Sequence, residues 1–102
     1  MNLSVLTPDK HVFEGEIVSV KVPGTLGSFQ VLENHAALVS SLKEGEVEVK
    51  VSKGGYQLFD KKSGEMQTVE TAKDISFSVK GGFIEVINNK ISLLVSSVGE
   101  IQ

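Results

Sequence analysis

The chain has 102 residues, 40% of them hydrophobic and 23% charged, with a formal net charge of −3. That length fits one domain over 1–102 with a modest core, and the balance of apolar and charged residues excludes disorder. Ten Lys+Arg against thirteen Asp+Glu give no basic footprint for nucleic acid, and the absence of cysteine excludes a disulfide framework or a thiolate metal site.

In chain order, the opening Met1–Leu6 reaches Pro8 without a basic start or a long apolar run, so no signal or transit peptide is expected. Later apolar runs also fall well short of the ~20 residues of a membrane span, so no direct lipid insertion is expected. Period-two alternation then predicts strands at Leu3–Thr7, His11–Phe13, Ile17–Val22, Gly27–Val31, Ala37–Leu42, Glu46–Val51, Tyr56–Phe59, Met66–Thr71, Ile75–Val79, Phe83–Val86 and Lys90–Val95. Val18, Val20 and Val22, for example, alternate with Ser19 and Lys21, which gives one apolar and one wet face. Pro23-Gly24, Gly54-Gly55, Ser63-Gly64, Gly81-Gly82 and Asn88-Asn89 separate the runs with residues that accept positive φ in tight turns. The pattern predicts an all-β fold, an antiparallel β-sandwich of about ten strands. The polar stretch within 56–74 is expected to form an extra or extended hairpin with Lys61-Lys62-Ser63-Gly64 at its tip. Expected core positions are Val18, Val20, Val22, Val47, Val49, Ile75, Phe77, Val79, Phe83, Ile84, Val86, Leu93 and Val95.

No constellation for chemistry emerges. His11 and His35 are the only imidazoles, no Ser lies in a nucleophile elbow, and neither His has metal-ligand spacing. Glu14 with Glu16, and Glu46 with Glu48, stand two apart on strand faces and read as solvated pairs. Pro23-Gly24-Thr25-Leu26-Gly27-Ser28 lacks the P-loop lysine, and six aromatics are too few for a stacking platform. Catalytic, cofactor-binding and metal residues are therefore expected to be none. What remains is a sandwich that binds a partner.

Three segments make the sequence specific. Pro23-Gly24-Thr25-Leu26-Gly27-Ser28-Phe29-Gln30-Val31-Leu32-Glu33-Asn34-His35-Ala36-Ala37-Leu38, running on to Gly45, resembles the signature of the F-type ATP synthase epsilon subunit. Gly81-Gly82-Phe83-Ile84-Glu85-Val86, followed by Asn89–Leu94, is similar to a strand pair of that family, as is the opening from Leu3 to Glu16. The chain has Ala37 where the family usually has Pro, and it is longer than typical members between Gly45 and Gly81. Only seven residues follow Val95, so it resembles a short form that lacks the family's C-terminal helical hairpin.

The resemblance implies a non-catalytic central-stalk (rotor) subunit that links gamma to the membrane c-ring and couples ion flow to ATP synthesis. It would meet the alpha/beta hexamer only through gamma, need no cofactor, and sit peripherally at the cytoplasmic face of the bacterial cell membrane. By the same resemblance Ser28, Phe29 and His35, on the Thr25–His35 bend, would form a loop facing the c-ring. Thr7, Ser40, Leu42 and Lys80 would face gamma, on an exposed sheet face more apolar than an ordinary wet one. The alternative is a stand-alone sandwich that binds carbohydrate or peptide, which calls for an exposed aromatic cluster or an open strand edge.

Overall fold

The computed structural model describes residues 1–60, 64–69 and 74–102. Among these it contains nine strands and no helix: β1 (Asn2–Leu6), β2 (His11–Gly24), β3 (Gly27–Leu32), β4 (Leu38–Leu42), β5 (Gly45–Asp60), β6 (Glu65–Val69), β7 (Ile75–Val79), β8 (Gly82–Ile87) and β9 (Lys90–Val95). The predicted strand at His11–Phe13 joins the next one in β2, and those at Glu46–Val51 and Tyr56–Phe59 join in β5. No strand is predicted over Glu14–Glu16 and Gly54-Gly55 reads as a break, yet the strands run through both. At Gly15 the backbones of β2 and β5 come so close that a Cβ would lie 2.6 Å from the Tyr56 Cβ. Glycine here serves a close approach within a long strand.

These two long strands are the spine of the molecule. One edge of β2 pairs with β1 through Glu16 and with β3 from Ser19 onward, and its other edge pairs with β5. The far edge of β5 pairs with β7 at Gly45–Val49 and with β6 at Tyr56–Asp60. The spine thus passes from one layer, β3-β2-β5-β7, into a second, β4-β8-β9-β1-β2-β5-β6. A pairing between Gly24 and Leu42 brings β4 back to the end of β2 and closes the sandwich. The predicted hairpin exists in part, as Tyr56–Asp60 against Glu65–Val69; Lys61, Lys62, Ser63 and the residues 70–73 lie outside the described residues. One pairing corrects the antiparallel expectation: β1 and β9 are parallel, from Asn2↔Lys90 to Leu6↔Leu94.

The inner faces of both layers form one core around Leu3, Val5, Phe13, Val20, Val22, Val31, Val47, Phe77, Ile84 and Leu93, each at most 1% exposed. Phe13 stacks on Tyr56 with ring centroids 5.3 Å apart, at the level where the spine crosses between layers. Two expected core residues are on the surface: Val18 is 49% and Phe83 55% exposed. Val18 lies in a bulge, since the β2–β5 register shifts on either side of Ile17. An extra residue in one strand inverts its alternation, so Ile17 and Val20 point inward and Val18 does not. Phe83 precedes the buried Ile84, and successive strand residues cannot share a face.

Candidate functional site

Directly paired residues share a face, so the outer surface of β4-β8-β9-β1 can be read across the strands. One row runs Ser41–Phe83–Leu94–Leu6, and the next runs Val39–Glu85–Ser92–Ser4. Val39 is 69%, Phe83 55% and Leu94 48% exposed, and Leu6 is half-buried. Phe83 and Leu94 are direct cross-strand partners, and Val39 lies one diagonal step from Phe83. Such diagonal neighbours are ~7–8 Å apart, so the three side chains make one continuous apolar surface.

Polar groups frame it. Ser4 Oγ donates to the Glu14 carboxylate at 3.0 Å, and His11 Nε2 lies 3.2 Å from Glu14 Oε1. On the opposite side the hydroxyls of Thr25 and Ser41 meet at 3.0 Å, and the Thr25 N–H donates to the Ser41 carbonyl. That contact places the β2–β3 turn, with Leu26 wholly exposed, beside the apolar row. Gly82 opens β8 at φ +148°, and a Cβ there would collide with the Leu94 carbonyl. This glycine lets β8 and β9 close together just before Phe83.

The residues singled out in the sequence are dispersed differently. Thr7 opens the four-residue connection between β1 and β2, with its N–H donating to the Lys10 carbonyl at 2.9 Å. Exposed Lys80 precedes β8, so both sit at the Phe83–Leu94 end of the sheet. Ser40 pairs with buried Ile84 and turns toward the inner side, and Leu42 is 5% exposed and belongs to the core. A side chain in the core offers no contact to a partner, so Leu42 drops out of the gamma-facing set; on β4 the outward residues are Val39 and Ser41.

The expected c-ring loop is three elements: a turn at Thr25-Leu26, the strand β3, and a second turn at 33–35. Ser28 faces outward opposite Pro23, whereas Phe29 packs its ring against the core. His35 lies beyond the far end of β3, ~13 Å or more of strand away from Ser28. It is held locally, with its N–H donating to the Leu32 carbonyl at 3.1 Å and Nδ1 2.7 Å from the Ala36 carbonyl oxygen. Ser28 and His35 therefore do not share a loop. Sequence reasoning missed Phe83 and Leu94 as surface residues. The signal lay in the Phe83-Ile84 adjacency together with Ile91, Leu93 and Val95, whose shared parity leaves Leu94 outside. Among the described residues no group of three or more His, Asp or Glu could hold a metal ion, and no helix is long and apolar enough to cross a membrane.

Fold and surface define a β-sandwich domain with one apolar outer sheet face. Residues 1–66 match the family described as ATP synthase, Delta/Epsilon chain, beta-sandwich domain, and the chain belongs to that family. It is 38% identical over 96 residues to the ATP synthase epsilon chain of Chlorobium limicola, covering 94% of this chain and 89% of that one. It is 40% identical over 94 residues to the ATP synthase epsilon chain of Leptospira borgpetersenii, covering 92% of this chain but 59% of that one. A chain in the cryo-EM structure of the Euglena gracilis mitochondrial ATP synthase, OSCP/F1/c-ring, superposes with a TM-score of 0.70 at 18% identity, covering 94% of this chain and 50% of that one. A chain of the Tetrahymena thermophila mitochondrial ATP synthase central stalk/c-ring structure gives 0.66 at 16% identity, covering 98% and 66%. At those identities the two structures bear on the fold alone.

Proposed function

We propose that this chain is a non-catalytic rotor subunit of a bacterial F-type ATP synthase, standing between the gamma shaft and the membrane c-ring so that ion flow drives ATP synthesis. Family membership supports the complex. The observation that carries the role is the exposed Val39–Phe83–Leu94 surface on the outer face of β4, β8 and β9. Water is a poor partner for such a surface, at about 25 cal/mol per Å2 of apolar area, so covering it contributes binding energy without any chemistry. The close-packed sandwich beneath deforms little under load, which suits a part that transmits torque.

Gamma covers the β4-β8-β9-β1 face, with Thr7 and Lys80 at its rim. The β2–β3 turn, with Ser28 and wholly exposed Leu26, meets the polar loops of the ring. The subunit is then peripheral, at the cytoplasmic face of the membrane. A photocrosslinking residue at Phe83 is expected to capture gamma in bacterial membranes, and one at Ser28 to capture subunit c. Capture of neither, with the chain recovered free of alpha, beta and gamma from detergent extracts, would sink the proposal. Capture of gamma at Ser28 and of c at Phe83 would reverse the two faces.

A further inference from the structure

Within the apolar outer face stands a carboxylate that burial of apolar area does not account for. Strand parity puts Phe83, Glu85 and Ile87 on the same outward side of β8. Glu85 pairs directly with Val39 on β4 and with Ser92 on β9, and Leu94 lies one diagonal step away. Ile87, 46% exposed, adds a fourth large apolar side chain to Val39, Phe83 and Leu94. Exposed Glu85 thus has an apolar neighbour on each side along its own strand, one across β4 and one across β9.

Two other carboxylates of this layer are balanced within the chain. Glu14 accepts from Ser4 Oγ and lies beside His11, and Glu16 lies 3.2 Å from the Met1 ammonium. Among the described residues nothing pairs with Glu85. Lys90, opposite Ile87, is a cation one diagonal step away, and it makes no ion pair with Glu85. In the free chain water solvates the Glu85 carboxylate. Covering its four apolar neighbours removes that water, and a carboxylate buried without a partner strongly opposes association. The apolar contacts and the carboxylate are both satisfied only when the covering surface carries a cation.

We propose that Glu85 is the specificity-determining residue of this face: gamma covers Val39, Phe83 and Leu94 with apolar side chains and brings a lysine or arginine of its own to the Glu85 carboxylate. The inference rests on the rotor reading and adds the chemistry that the partner's surface must have. An apolar patch alone accepts any apolar surface of fitting shape. A carboxylate among the apolar groups rejects surfaces that lack a cation, and rejects anionic ones more strongly still.

The test titrates the full chain into an alpha–beta–gamma complex prepared without it and reads the affinity by calorimetry. Glu85→Gln is expected to weaken binding about tenfold and Glu85→Lys about a hundredfold, the size of a lost and of a reversed charge pair. The melting temperature of each free variant stays that of the parent, because the side chain is exposed. Lys90→Gln leaves the affinity unchanged, which separates a cation brought by gamma from one supplied by this chain. A gamma with Glu in place of one of its own Lys or Arg residues near the Phe83 crosslink restores the binding of Glu85→Lys. Unchanged or tighter binding by Glu85→Gln would overturn the inference, since no cation then meets the carboxylate. Weakening by Lys90→Gln equal to that by Glu85→Gln would overturn it as well, by assigning the pair to this chain. Both results leave the rotor reading standing, whereas a parent chain that does not bind gamma removes that reading and the inference together.

Discussion

On the outer face of β3-β2-β5-β7, one row reads Gln30–Lys21–Glu48–Ser76; on the outer face of β4-β8-β9-β1, the row reads Ser41–Phe83–Leu94–Leu6. Both rows span four strands and both rest on the same core. The first satisfies itself with water and one loose ion pair, Lys21 Nζ to Glu48 Oε2 at 4.0 Å. The second cannot be satisfied by water. An exposed apolar residue on its own is ordinary, but a contiguous cluster in a protein with 40% hydrophobic residues marks a surface meant to be covered. The sandwich motif dictates the shared core, and only the outward residues distinguish a wet face from an apolar one.

Truncation in the core should damage both faces at once. Phe13→Ala removes the ring stacked on Tyr56 at the layer crossing and is expected to cost about 3–5 kcal/mol of unfolding free energy, read by denaturant titration. A loss below about 1 kcal/mol would mean that the crossing does not hold the two layers together.

Phe83→Asp separates the faces. It should leave the melting temperature of the isolated chain nearly unchanged, because the ring is half in water already. Gamma binding, measured by calorimetry, should weaken by about 2–4 kcal/mol, the range of a central aromatic contact. Unchanged affinity would deny this face its role.

Alkaline pH probes the crossing itself. Burial pushes the Tyr56 hydroxyl above its ordinary value of 10.0, because the fold disfavours the phenolate. Its contribution to stability is complete below the unfolded value, then falls as pH rises toward and through the raised folded value. Tyr56→Phe should therefore flatten the stability profile above pH ~10. A profile identical to the parent would exclude Tyr56 as its source.

Lys21→Ala, on the wet face, should have the smallest effect. Exposed pairs contribute about 0–1 kcal/mol, so stability should stay within about 0.5 kcal/mol and gamma binding should not change. A large loss of binding would transfer the interface to the other sheet.

Alternation and turn residues by themselves determined that the fold is all-β, the approximate bounds of the strands other than β2 and β5, and about half of the core: Val20, Val22, Val47, Val49, Ile75, Phe77, Val79, Ile84, Val86, Leu93 and Val95. These follow from local rules, since strand parity and positive-φ turns involve only neighbours in the chain. The three matching segments, at the opening, at Pro23–Gly45 and at Gly81–Leu94, likewise pointed together to the family without coordinates. Tertiary structure alone decided that β2 and β5 run unbroken between layers, that β1 lies parallel to β9, and that a bulge turns Val18 outward. It also decided which surface is apolar, turning Val39 out and Leu42 in and setting Phe83 beside Leu94. Such features depend on register between strands far apart in sequence, as with Leu6 and Leu94, 88 residues apart. A one-residue slip in that register exchanges the two faces of a strand, and alternation within the strand reads the same either way.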